Sequence, residues 1–98
     1  MRGISAMKLY FKDIHLGDIS NENGDGFWMY GDIKFTDNIS NFKDFLNKMV
    51  DENNPSLDNV NPFFRDENNW FISKNNQLEG IGIPAVYFGS NEIEWRWR

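Results

Sequence analysis

Hydrophobic and polar residues alternate through much of this chain. From Met7 to Ile14, Met7, Leu9 and Phe11 fall on one side and Lys8, Tyr10 and Lys12 on the other, the period of a strand with one buried face. Phe27 to Thr36 repeats the pattern. Phe27, Met29, Gly31, Ile33 and Phe35 are assigned inward, and Trp28, Tyr30, Asp32 and Lys34 outward. Because the period is two, a slip of one residue would reverse every assignment at once. Between these segments, His15 to Gly26 is dense in Gly, Asn and Asp and reads as a loop.

The spacing changes at Asp37. Ile39, Phe42, Phe45, Leu46, Met49 and Val50 recur every three or four residues, which predicts a helix over 37–53 with Lys43, Asp44, Asn47 and Lys48 on its wet side. Asp37 or Asn38 is the expected N-cap, and Asn53-Asn54-Pro55 the expected end. Residues 55–69 carry little periodicity, although Pro62 suits the start of a short helical turn through Phe63 and Phe64. Trp70 to Lys74 reads as a short strand that Asn75-Asn76-Gln77 turns toward a second, Leu78 to Ile83. Pro84 to Phe88 is apolar on both faces, as a central strand would be, with Pro84 tolerated at its start. Gly89-Ser90-Asn91 is expected to form a three-residue hairpin loop. Beyond it Ile93, Trp95 and Trp97 face one side, and Glu92, Glu94, Arg96 and Arg98 the other. These elements predict an α+β fold: a twisted, mainly antiparallel sheet of about four to six strands with one amphipathic helix packed on one face.

A length of 98 residues predicts one domain, and no internal repeat or linker divides it. Residues 1–6 lack periodicity and read as frayed or extraneous sequence, with Met7 an alternative start. No apolar run approaches the ~20 residues that cross a bilayer. The first residues lack the apolar core of a signal peptide, so a cytoplasmic location is expected. The absence of cysteine excludes disulfides and thiolate metal sites, and no cofactor is expected. Ten Lys and Arg against fifteen Asp and Glu give a net charge of −5. That balance disfavours binding to nucleic acid or an anionic membrane surface and favours a basic protein partner. Solubility alone would also account for it.

Four candidate chemistries compete with plainer readings. Asn21, Asn23 and Asp25, followed by Gly26, resemble the opening of a calcium loop, with Asp32 in its twelfth position. The usual first Asp and last Glu are missing, and a turn explains the same residues. His15, near Asp13 and Asp18, has the composition of a proton shuttle for a small hydrolase, but no nucleophile context accompanies it. Glu92 and Glu94 share a strand face at about 6.6–6.8 Å, within the range of glycosidase carboxyl pairs. Arg96 and Arg98 continue that face, so a solvated charge ladder fits equally well. Trp95-Arg96-Trp97-Arg98 has the composition of a base-stacking surface, yet strand alternation sends both Trp inward.

The fifth candidate is a recognition surface. If the two N-terminal strands pair, Tyr10, Trp28 and Tyr30 share an outer face among charges, the composition of a protein-binding hot spot. A small acidic domain with outward aromatics and no evident catalytic group resembles the bacterial immunity proteins that neutralise partner toxins, including those of contact-dependent growth inhibition. The resemblance is one of profile over the whole chain and involves no motif, so no residue role is carried over from it. It implies a non-catalytic module that blocks a cognate basic toxin, such as a nuclease, by steric and electrostatic occlusion. In that reading Asp18, Glu22, Asp25, Asp32, Asp66 and Glu67 meet Lys and Arg of the toxin, Trp28 and Tyr30 anchor the contact, and Tyr10 belongs to the same binding face.

Overall fold

A computed structural model describes residues 7–50 and 62–98, with Asp25 described by its backbone alone. The chain forms β1 (Met7–Phe11), β2 (Ile14–Asp25), β3 (Trp28–Phe35), a 3-10 turn (Asp37–Asn41), α1 (Lys43–Val50), α2 (Pro62–Arg65), a second 3-10 turn (Glu67–Asn69), β4 (Trp70–Lys74), β5 (Gln77–Gly80), β6 (Ala85–Tyr87) and β7 (Glu92–Arg96). The strands make one antiparallel sheet in the order β5-β4-β1-β2-β3-β7-β6. The α+β class, the antiparallel sheet and the single main helix on one face are as the pattern implied; the sheet has seven strands.

The expected loop at His15–Gly26 is instead β2, the longest strand, hydrogen-bonded to β1 on one side and β3 on the other. Gly, Asn and Asp are poor strand formers alone, but two flanking ladders override that preference. The pairing is irregular twice: the register shifts at Leu9/Tyr10 and again between Ser20 and Asn23. The first expected strand ends early, at Phe11, where Lys12-Asp13 turn the chain into Ile14. Phe27, expected inward, sits in the two-residue turn before β3 and is 75% exposed. The rest of that inward and outward assignment stands.

The predicted helix is two pieces, a 3-10 turn and then α1, and residues 51–53 lie outside those described. Neither Asp37 nor Asn38 is the N-cap. Thr36 takes that position, and its hydroxyl donates to the His15 carbonyl oxygen at 2.7 Å rather than capping the turn. The Asn38 amide donates to the same oxygen at 3.0 Å. Asn75 and Asn76 have φ of 53° and 67°, the signature of a two-residue type I′ hairpin between β4 and β5. The β6–β7 loop holds four residues rather than three, since Tyr87 pairs with Glu92.

Pro84–Phe88, expected to be central, becomes the edge strand β6. The two edges nonetheless meet. Seven strands laid flat would span about 29 Å at the usual spacing. Only Ile81–Pro84 separate β5 on one edge from β6 on the other, a reach of at most about 18 Å. The sheet must therefore curl. The Ile81 N–H donates to Trp70 O (3.1 Å), while Ile81 pairs with Trp97 on its other side. The Gly82 N–H donates to Arg96 O (2.9 Å) and the Arg98 N–H to Gly80 O (3.1 Å).

The concave side holds the core. Leu9, Leu16, Ile72, Ile81, Val86, Ile93, Trp70 and Trp95 are fully buried there. Phe42 and Phe45 of the helical segment and Phe64 of α2 close over Phe11 and Trp70, with ring centroids 4.9–6.1 Å apart. Such ring pairs add roughly 0.5–1.5 kcal/mol each beyond their buried area. The Trp70 indole N–H donates to Phe64 O at 2.8 Å, which fixes α2 on the sheet. Among the described residues, no helix is long and apolar enough to cross a membrane.

Arg98 fastens the seam. Its guanidinium donates to Ile81 O (2.7 Å), Trp70 O (2.9 Å) and Asn68 Oδ1 (3.3 Å), and lies 5.4 Å from the centroid of Phe71. Arg98→Ala is expected to cost about 2 kcal/mol, the scale of hydrogen bonds from a charged donor. Arg98→Lys should recover only part, because an ammonium lacks the planar fork. Urea denaturation measures both; a wild-type midpoint for Arg98→Ala would show that the seam closes without it.

Candidate functional site

The convex face carries the outward residues of every strand, and among the described residues no helix covers it. On its centre, Asp18 of β2 lies opposite Lys8 of β1 and Lys34 of β3. The His15 ring bonds Asp18 Oδ1 at 2.8 Å through Nε2, and its centroid is 5.5 Å from that of Tyr10. This part of the face is balanced in charge.

The half formed by β3, β7 and β6 differs. In one row Asp32, Glu92 and Tyr87 lie side by side on the three strands; in the next lie Tyr30, Glu94 and Ala85; beyond them Trp28 faces Arg96. Asp32, Glu92, Tyr87, Tyr30 and Glu94 wall a groove of about 600 Å³, lined also by Asn21, Asn23, Ser90, Gly31 and Ile93. Among the described residues its ionisable carboxylates are Asp32, Glu92 and Glu94, and no Lys, Arg or His lines it.

The β2 irregularity makes the groove's far wall. Ser20 pairs with Asp32 and Asn23 with Tyr30, so Asn21 and Glu22 together face Gly31. The bulge presses close there. A Cβ on residue 31 would lie 2.9 Å from Ser20 O and 3.3 Å from the Glu22 Cα, which only glycine avoids. Asn21, displaced outward, donates from Nδ2 to Asp32 Oδ2 at 2.8 Å and holds that carboxylate at the groove.

Of the residues expected to meet a partner, the fold gathers Tyr30 and Asp32 in the groove and Trp28 beside it, 54% exposed. Tyr10 is not with them. It pairs with His15, whereas Trp28 pairs with Asp25, ten residues farther along β2, a separation on the order of 30 Å. The expected cluster of three rings is thus two rings on β3 and a half-buried tyrosine elsewhere. Asp18 belongs to the balanced centre. Glu22 is half-buried in the bulge, and the Asp25 side chain lies outside the described residues. Asp66 and Glu67 sit at the seam. Asp66 Oδ1 accepts from the Asn68 N–H at 3.0 Å, and Glu67 lies near Gly82. Neither lines the groove.

The calcium reading loses its loop. Asn21–Asp25 and Trp28–Asp32 are two extended, paired strands, so alternate oxygens do not wrap a common centre. Its first and twelfth positions do meet, but as a donor amide and an acceptor carboxylate. Among the described residues, no cluster of His, Asp and Glu is suited to a metal ion. Glu92 and Glu94 are exposed in the groove, while Arg98 leaves the expected charge ladder for the seam. Tyr87 and the Asn21 amide were missing from the sequence-based site. Alternation through β6 places Tyr87 outward; only the register reveals Asn21. No family model, curated protein or solved structure matches the chain.

One arrangement stands out energetically. Asp32 and Glu92 are directly opposed on neighbouring strands, and no ion pair to Asp32, Glu92 or Glu94 is seen among the described residues. Like charges directly opposed destabilise a sheet. Glu92→Gln should therefore raise stability by about 0.5 kcal/mol, or roughly 3 °C in Tm. The gain should shrink in high salt, which screens exposed charge. Differential scanning calorimetry at low and high salt tests this; a lower Tm at both would mean that the carboxylates do not repel.

Proposed function

We propose that this chain is a non-catalytic protein-binding module whose working surface is the β3–β7–β6 groove and the adjoining Trp28. The observation that carries this reading is the groove's composition: among the described residues, three carboxylates and no lining cation, flanked by tyrosines, beside a half-exposed tryptophan. Exposed Trp and Tyr supply contact area at small entropic cost, and a partner of opposite potential is steered to the acids. The complement is a basic protein domain.

The immunity-protein profile gives that partner a role. In this reading the module sits on a cognate basic toxin, such as a nuclease, and blocks its substrate path by bulk and by charge. Trp28 and Tyr30 form the anchor, and Asp32, Glu92 and Glu94 engage Lys or Arg. Tyr10, Asp18, Asp66 and Glu67 lie outside this contact, and Glu22 supports it through the bulge.

The test is genetic and then calorimetric. The product of the neighbouring reading frame should arrest growth when expressed alone, and this chain should restore growth. Trp28→Ala should weaken that complex by about 2 kcal/mol, some 30-fold in Kd, the effect of losing a hot-spot ring. Failure to restore growth removes the toxin-blocking role. An unchanged Kd removes Trp28 as an anchor.

A further inference from the structure

The layout of the groove says more about its occupant than its charge does. We infer that it is a socket for an arginine side chain presented by the partner, an inference that rests on the binding role proposed above.

Two aromatic rings stand at diagonal corners of the three-strand surface. Tyr30 is in the row of Glu94 and Ala85, and Tyr87 in the row of Asp32 and Glu92. The acids occupy the positions between the rings, and Ala85 leaves its corner low. The floor is the backbone around Gly31 and Ile93, whose side positions face the core. A side chain entering here meets tyrosine faces laterally and carboxylates from two neighbouring strands. A planar guanidinium satisfies both. It stacks on an aromatic ring and extends N–H donors in its plane toward carboxylates on either side. An ammonium is a compact point charge that attracts the same acids but cannot lie flat between them.

The walls already hold part of this arrangement. Asn21 fixes one oxygen of Asp32 by its 2.8 Å bond, leaving the other oxygen of that carboxylate for a ligand. The Asp32–Glu92 opposition, unfavourable in the free protein, becomes favourable when a cation sits between the two. Arg96 and Lys34 face outward one row beyond the acids on either side, and neither lines the groove. They confine the acids to two rows, about 7 Å along the strands.

The experiment uses the full chain, isotopically labelled, at low ionic strength. It is titrated with three end-blocked Gly/Ser peptides that differ in one central residue: arginine, lysine or citrulline. Amide shifts should saturate at Tyr30–Asp32 and Glu92–Glu94, with the arginine peptide at least about fivefold tighter than the lysine peptide, as a forked donor implies. The neutral citrulline peptide should give no saturable shift. Glu92→Gln, which is expected to fold at least as stably as wild type, should weaken the arginine peptide about tenfold, the cost of one charge-assisted bond. Tyr30→Ala should weaken it, and Tyr30→Phe should not. Equal response to arginine and lysine at these amides would overturn the guanidinium socket while leaving the acidic binding groove in place. Shifts spread over the whole acidic face would overturn it equally. No response to either cation at the groove would overturn both this inference and the binding surface beneath it.

Discussion

A sheet with two open edges is an invitation to pair with other chains, and this molecule depends on how it avoids that. One segment, residues 77–87, serves both edges. Its first half bonds β4 and its second half bonds β7, with Ile81 bonded on both sides at the crossing. At that crossing Gly80, Ile81 and Gly82 pair with Arg96–Arg98, which shortens what each edge leaves open. The curl that results gives the sheet an inside and an outside, and both follow from that closure. Inside, fewer than a hundred residues enclose two fully buried tryptophans and a five-ring cluster. The helices cover only the opening that the curl leaves, so one main helix suffices.

That division leaves the convex face free of packing duties. Its side chains touch solvent and each other, so irregular backbone there costs little. The β2 bulge lies in this permissive zone, and it is what turns a smooth strand surface into a walled groove. The chain of cause runs from Gly31, which lets the bulge sit close, to Asn21, which the bulge swings outward, to the oriented Asp32 carboxylate. Only the first link touches the core, because a Cβ on residue 31 would also lie 3.2 Å from the Ile19 side chain. The Asn21–Asp32 contact lies on the surface.

Periodicity made the inward and outward faces of β1, β3 and β7 legible, because a period of two leaves only one way to bury Leu9, Ile33 and Trp95 together. The stripe from Ile39 to Val50 likewise marked the helical face. β2 was illegible for a physical reason. Its Gly17 and Gly24 and its four Asn and Asp residues between 18 and 25 disfavour strands in isolation, and only the ladders on both sides compel the conformation. Gly17 is in fact a packing requirement, since a Cβ there would lie 2.8 Å from the Ile33 side chain. A loop at 15–26 would make β1 and β3 neighbours and set Tyr10 beside Trp28. The missing strand also hid the groove, whose walls come from segments far apart in sequence. A register between β3 and β7 is needed before Asp32 and Glu92 can be seen to face each other. Closure was illegible as well, because nothing local in 77–87 announces that one segment changes partners midway.

Among the described residues, two places break the rule that polar groups find complementary partners. Among the described residues the buried Trp95 indole N–H has no hydrogen-bond partner, at a cost on the order of 1–3 kcal/mol. The Asp32–Glu92 opposition lies on the surface and costs less, roughly 0.2–1 kcal/mol. They differ in what could relieve them. The Trp95 ring is sealed on the concave side, in register with Met29, where no partner reaches it. Its unmet donor is offset by the burial of a large ring and remains a fixed cost of the fold. The paired carboxylates are open to solvent and lose their repulsion as soon as a cation arrives. Local conflicts that persist in a folded protein tend to mark function when the conflict can be resolved by binding. By that criterion only the outer one qualifies, and the same reasoning sets a sign that simple surface acidity would not. Removing a carboxylate from the groove should strengthen the free protein and weaken its complex, whereas an acid that served only solubility would change neither in that opposed way.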